Sequence, residues 1–176
     1  MAKSEKSVFF DSTVVINFGE INAFDLLIEL YSGRIRIVEE VKQEIFDESY
    51  RTEKVLKKFL SEGSIDTLAL RGPAELSLYN KYSKKLHSGE AATIVGASCN
   101  DGIVVTDDRD ARKIAKRKEN LKVTGSIGIL LRSISKNIKT VKEADRLHRK
   151  MLEEANYFSP INSLTKYIED RDLDLD

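Results

Sequence analysis

The amino-acid sequence predicts an α/β domain with a mainly parallel central sheet, on two observations. Short apolar runs rich in β-branched residues alternate along the chain with segments of helical period. Parallel strands need such crossover connections, and the crossing helices cover both faces of the sheet. The 176 residues also fit one domain with a sizeable core and leave no room for a second. The expectation is therefore a single domain over residues 1–176.

The elements follow in order. SVFFDSTVVINF, from Ser7 to Phe18, is a β-branched and aromatic run interrupted by Asp-Ser-Thr, as where a buried strand ends in a polar turn. In INAFDLLIELYSG, Phe24, Leu27, Ile28 and Tyr31 recur at helical spacing, and Gly33 supplies a C-terminal cap. RIRIVEEVKQEIF gives a strand from Ile35 to Val38, then a helix through Val41, Ile45 and Phe46. A further helix covers Ser49 to Leu60, Gly63 stops it, and SIDTLAL alternates as a half-buried strand. Pro73, well suited to a first helical turn, opens AELSLYNKYSKKL. HSGEAATIVGASCN reads as a closely packed helix of small residues starting near Ser88, and Asn100-Asp101-Gly102 turns into the apolar run IVVT. DDRDARKIAKRKEN is helical to near Asn120, LKVT is a short strand and SIGILLRSISKN a helix. Thr140 with Glu143 matches a capping box for a helix to about Asn156, and Ser159-Pro160 starts a last helix. The acidic tail from about Glu169 is expected to fray.

Composition narrows the function classes. With 41% hydrophobic and 33% charged residues, 9 Gly and 2 Pro, the chain is not collagen-like, low-complexity or disordered. Lys+Arg 29 balances Asp+Glu 29, so any nucleic-acid patch must come from local segregation. The single cysteine, Cys99, cannot form an internal disulfide, and the start MAKSEKSVFF has no signal-like apolar run. No stretch approaches the roughly 18 apolar residues of a membrane span. A cytoplasmic, reducing location without membrane contact is expected.

In parallel α/β sheets, ligand sites lie at the carboxyl ends of the strands. Asp11 and the Thr106-Asp107-Asp108 cluster each follow an apolar strand-like run, so they are candidates for neighbours in space. A carboxylate there is costly unless it is solvated, hydrogen-bonded or neutralised by a cation. Two such positions point to a hard divalent ion, Mg²⁺ or Mn²⁺, with water and substrate phosphate in its remaining positions. An ion so placed orients or deprotonates an attacking water and offsets charge growing on a phosphodiester.

Each acid also has an ordinary structural reading. An Asp after a strand serves as a helix cap or turn residue. Glu44 lies in a helix whose apolar positions are Val41, Ile45 and Phe46, where it can simply be solvated. Glu90 suits the first turn of its helix by dipole alone. Ser12 and Thr106 suit turn hydroxyls or caps. Asp107, Asp108 and Asp110, three acids within four positions, exceed what one cap requires.

From Arg109 to Lys122 seven basic residues face two acids, a local excess of five positive charges. A solvated helix face is the default. Beside a metal, however, Arg109, Arg112, Lys113 and Lys116 would lie on a phosphate path with salt-dependent binding, and Lys81, Lys84 and Lys85 would extend that surface. His87 and His148 read as surface or cap-adjacent residues, and Cys99 as a buried structural thiol with no activating base. Gly125 reads as a tight strand-to-helix turn, while the helix from Ile127 to Ile134 with Tyr79 and Tyr82 reads as core or dimer contact.

Four segments, in their order and spacing, resemble the PIN-domain family, most closely its branch related to VapC-like toxin ribonucleases. They are VFFDSTVVI, IVEEVKQEI, LHSGEAATIVGA, and IVVTDDRDARKIA followed by VTGSIGILL, together spanning roughly Val8 to Leu164. The resemblance implies a three-layer α/β/α fold, an acidic pocket binding Mg²⁺ or Mn²⁺, and endoribonuclease activity on single-stranded RNA. It further implies a protein antitoxin and a homodimer. By position, Asp11 resembles the first metal ligand, Glu44 the second acid, Glu90 the acid opening the central helix, and Asp108 the acid two places after the strand-ending Thr. Asp107 is a neighbour able to substitute, Asp110 a weaker third choice, and Ser12 and Thr106 resemble hydroxyls that position a ligand or water. Three alternatives stay open. One is an RNA-processing nuclease without a toxin role. Another is a PIN-like domain that binds RNA or protein without cutting, since Glu rather than Asp at position 90 moves the carboxylate outward by a methylene. A phosphohydrolase with Asp11 as nucleophile would need a second Asp where Thr13 stands.

Overall fold

The computed structural model describes residues 5–173 and 175. Among them run, in order, β1 (Val8–Phe10), α1 (Ser12–Glu20), α2 (Phe24–Tyr31), β2 (Ile35–Val38), α3 (Glu39–Glu48), α4 (Tyr50–Ser61), β3 (Ile65–Leu68) and α5 (Pro73–Tyr82). There follow α6 (Ser88–Cys99), β4 (Ile103–Val105), α7 (Arg109–Arg117), β5 (Lys122–Thr124), α8 (Ser126–Ser135), α9 (Val141–Glu154) and α10 (Leu164–Asp170). The strands form one sheet in the order β3-β2-β1-β4-β5, and every neighbouring pair is parallel. The result is the expected three-layer α/β/α arrangement.

Strand alternation divides the core. Val8 and Phe10 of β1 and Val105 of β4 face one layer, packed with Val14 and Phe18 of α1, Leu27 of α2, Ile45 of α3 and Ile129 of α8. Phe9 and Val104 face the other, with Tyr82 of α5, Ile94 of α6 and Ala111 of α7. The small residues of α6 serve this second layer: a Cβ on Gly96 would come within 3.0 Å of the Phe9 ring. Tyr82 and α8 are thus core elements.

The expected helix starts are in place at Pro73 and Ser88, and so is the Thr140–Glu143 capping box, where Glu143 N–H donates to Thr140 Oγ1 at 3.2 Å. The run Thr13 to Phe18, read as continuing a β-branched segment, is helix α1 instead. Asp11 ends β1 and caps α1, accepting the Ser12 N–H at 2.9 Å, and Val14, Val15 and Phe18 then bury one face. Packing onto the sheet overrides strand propensity here. The last helix begins at Leu164, not at Ser159-Pro160. Ser163 caps it locally, and Asp145 Oδ1 on the preceding helix α9 accepts the N–H groups of Leu164 (2.7 Å) and Thr165 (3.0 Å). The tail expected to fray from Glu169 stays helical to Asp170, and Leu175 packs against the core; Asp174 and Asp176 lie outside the described residues. His148, expected near the surface, is buried on α9, and Cys99, expected buried, is exposed because it ends α6 on the solvent side.

From β1 the chain winds outward through β2 to β3, then returns to lay β4 on the other side of β1 and moves out again to β5. The reversal between β1 and β4 opens a crevice beyond their carboxyl ends, since the two crossovers leave in opposite directions.

Candidate active site

Register sets the centre of this crevice. Phe10 pairs with Val105, so the next residues, Asp11 and Thr106, stand side by side, and Asp11 N–H donates to Val105 O at 2.9 Å. Thr106 Oγ1 and Thr13 Oγ1 both donate to Asp11 Oδ2, at 3.0 and 2.9 Å. Asp11 is 1% exposed. Burial, with the charges of Glu90 and Glu44 adding to it, raises its pKa from 3.8 to about 7 against the opposing pull of the two hydroxyls.

Glu44 reaches the crevice from α3. Its Oε2 accepts from Ser12 Oγ at 2.7 Å, and its Oε1 accepts from Gly89 N–H at 2.7 Å and Ser88 Oγ at 2.8 Å. It therefore clamps the starts of α1 and α6 together. Gly89 permits this approach, because a Cβ there would collide with the Glu44 carboxylate. Glu90, half-buried one residue on, accepts the His87 N–H at 3.1 Å. Burial first, then Asp108 and Glu44, raise its pKa, while His87 opposes.

Asp108 caps α7, its Oδ1 accepting from Asp110 N–H (2.8 Å) and Ala111 N–H (2.7 Å), which occupies only one of its two carboxylate oxygens. Asp107 turns to α8. Its Oδ1 accepts Ser126 N–H at 2.8 Å, and its Oδ2 accepts Ser126 Oγ at 2.5 Å and Asn17 Nδ2 at 3.4 Å. Burial raises its pKa, with Ser126, Arg112 and Asn17 opposing. Gly125 is extended, not left-handed; it is required because a Cβ would strike Asp107 Oδ1.

The starts of α1, α6, α7 and α8 thus all meet the acids. The positive ends of four helix dipoles partly offset the gathered negative charge. Around them lie three hollows that share lining residues. One of about 230 Å³ is lined by Asp11, Ser12, Thr13, Glu44, Glu48, His87 and Glu90. A second, of about 540 Å³, includes Thr13, Asn17, Glu48, Glu90, Asp107, Asp108, Arg109, Tyr157 and Phe158. The third, of about 380 Å³, includes Lys84, Lys85, His87, Glu90, Asp108 and Asp110. Glu90 borders all three.

The basic residues divide. Arg109 lines the 540 Å³ hollow, while Arg112 donates to Thr106 O at 2.8 Å and ties α7 to the end of β4. Lys113 pairs with Asp110 at 2.8 Å on the exposed face, and Lys116 is exposed. Sequence reasoning missed Glu48, Asn17 and Tyr157. Glu48 follows Glu44, and Asn17 follows Thr13, by one helical turn, a spacing that becomes a signal once α1 and α3 are aimed at the crevice. Tyr157 lies in a loop with no periodicity.

Among the described residues no three His, Cys, Asp or Glu side chains enclose an ion by themselves. The donors are nonetheless all oxygen and carry like charge, and Glu90 borders both the hollow that Asp11 lines and those that Asp108 lines, which fits a hard divalent cation held by one or two carboxylates and water. Asp11, Glu90 and Asp108 suit that role; Glu44 is already occupied by three donors.

Fold and site together define the class: a parallel three-layer α/β/α domain with an acidic centre at the switch point of its sheet. The chain belongs to the PIN-domain family, whose model, described as PIN domain, matches residues 7–169. PIN domains are generally nucleases and generally use divalent metal ions. No curated protein matches the chain.

Proposed function

We propose that this PIN domain is a Mg²⁺- or Mn²⁺-dependent endoribonuclease that hydrolyses RNA phosphodiester bonds at the crevice between β1 and β4. The observation that carries this reading is the buried Asp11 carboxyl at the carboxyl end of β1, bonded to Thr106 across the crevice, with its pKa raised to about 7 first by burial and then by the charges of Glu90 and Glu44. A buried acid raised this far, with acidic neighbours in a cleft, marks a functional site. Asp11, Glu90 and Asp108 would hold the cation. Bound there, it would supply Lewis acidity toward a phosphate oxygen and activate a water. Ser12 and Thr106 orient the carboxylates, Glu44 positions the starts of α1 and α6, and Arg109, with the exposed Lys113 and Lys116, meets the RNA backbone.

The test is cleavage of a labelled, mixed single-stranded RNA pool by wild type and Asp11→Asn with Mn²⁺, Mg²⁺ or EDTA. Cleavage requiring both metal and Asp11 is expected; full activity of the variant would overturn the assignment.

A toxin role of the VapC-like kind extends this reading: the enzyme acts in the cytoplasm as a homodimer, and a protein antitoxin covers the crevice. Growth arrest on expression, relieved by that partner, tests it; normal growth with retained cleavage points to RNA processing instead. A second reading, a PIN-like domain that binds without cutting, is favoured by the full occupancy of Glu44 and by the longer Glu90 side chain. Absent cleavage together with absent Mn²⁺ binding by calorimetry would select it.

A further inference from the structure

Phe158 is 96% exposed in the loop between α9 and α10. A lone exposed apolar side chain needs no explanation of its own. Here, position and anchoring supply one. Phe158 borders two hollows: the 540 Å³ space shared by Glu90, Asp108 and Arg109, and one of about 330 Å³ lined by Arg112, Gly125 and Tyr167. Its ring therefore stands on the ridge between the space that the acids share with Arg109 and the space that Arg112 lines.

The loop is held on both sides of it. Asn156, at φ 52°, turns the chain off α9. Tyr157 is buried and sets its ring edge-on to His148 at 6.3 Å. Ser159 Oγ bonds His148 Nε2 at 2.8 Å and accepts the Ile161 N–H at 3.2 Å. With residues 157 and 159 fixed inward, Phe158 points out by construction rather than by fraying.

We propose that Phe158 is the base-stacking platform of the RNA site: a nucleobase beside the scissile phosphate stacks on its ring while Arg109 takes an adjoining phosphate. This rests on the endoribonuclease reading above. Stacking on an aromatic ring tolerates any base but requires the base to be free of its own helix. The ridge thus selects single strands, and bases locked in a duplex cannot reach it.

The chain contains no tryptophan, so Phe158→Trp installs its one indole, excited at 295 nm apart from the six tyrosines, at the ridge. The full-length variant is titrated with a twelve-nucleotide mixed RNA strand, its duplex, and an abasic strand of equal length. Ca²⁺ is present, and Mg²⁺ and Mn²⁺ are absent. Anisotropy of labelled RNA is read in parallel for wild type, Phe158→Ala and Phe158→Tyr. The intact single strand quenches the indole and the abasic strand does not. Phe158→Ala weakens single-strand binding about tenfold, and Phe158→Tyr restores it. Equal binding by wild type and Phe158→Ala, with no quenching, overturns the platform and leaves the nuclease reading intact. Wild type that neither binds nor cleaves RNA overturns both. Self-association of wild type that Phe158→Ala abolishes, with indole emission changing on protein concentration alone, also overturns the platform and assigns the ridge to a second copy of the chain.

Discussion

Thr106 Oγ1 donates a 3.0 Å hydrogen bond to Asp11 Oδ2 across 95 positions of sequence, joining the end of β4 to the end of β1. The same hydroxyl accepts the Asp108 N–H at 3.2 Å, so one side chain orients two of the acids. Thr106→Val keeps the shape and removes both bonds. A loss of about 1–3 kcal/mol in stability is expected, because a buried carboxyl loses a donor. Chemical denaturation checks the stability, and cleavage should fall further than stability explains. Unchanged cleavage would remove Thr106 from the site.

The Asp11 carboxyl gives a pH signature. Its pKa is 3.8 when unfolded and about 7 when folded, so between these values the folded protein holds the extra proton. Stability from this group is present at low pH and is lost as pH rises from about 4 to about 7. In EDTA, wild type should therefore melt lower at pH 8 than at pH 5.5, and Asp11→Asn should flatten that difference. At pH 8 the variant should melt several degrees higher, each 1 kcal/mol being roughly 2–4 °C at this size. Parallel melting profiles for the two proteins would contradict the assignment.

Cation affinity should follow the same proton in the opposite direction. Binding displaces the Asp11 proton below about pH 7. Apparent Mn²⁺ affinity should then climb up to about tenfold per pH unit below that point and level off above it. Calorimetry between pH 5.5 and 8.5 reads this directly, and a flat profile would disconnect Asp11 from the cation.

Glu44 should act as a clamp more than as a ligand. Glu44→Ala leaves the Gly89 N–H and the hydroxyls of Ser12 and Ser88 without their acceptor, an expected loss of about 1–3 kcal/mol. Glu44→Gln should retain most of that stability, and Gly89→Ala, by displacing the carboxylate, should resemble Glu44→Ala. Full stability of Glu44→Ala combined with lost Mn²⁺ binding would make Glu44 a ligand instead.

The exposed cations of α7 should act through charge alone. Lys113→Ala with Lys116→Ala should weaken RNA binding without regard to sequence and reduce the salt slope by about one for each phosphate left without its cation. Arg112→Ala should in addition lower stability, since Arg112 ties α7 to Thr106 O. A salt slope unchanged in the double variant would return this face of α7 to ordinary solvation.

Much of the fold was legible because its signals are local. Apolar period, Gly33, Pro73 and the Thr140–Glu143 box report on residues within a turn of each other, and the architecture follows from strand–helix alternation. The failures share one cause. Helix α1 was hidden in a β-branched run, the start of α10 takes a cap from Asp145 nineteen residues back, and His148 is buried where Tyr157 and Ser159 of the following loop fold over it.

At the site, chain order alone shows which acids follow strands and which residue types a cation would favour. It did not distinguish the tasks of those acids. That Asp107 turns to α8, that Glu44 spans two helix starts, and that Phe158 stands on the ridge follow from the folded arrangement alone. A carboxylate's role depends on which donors and charges surround it. At this crevice those neighbours arrive from helices and strands whose meeting is set by sheet order and register, not by chain proximity.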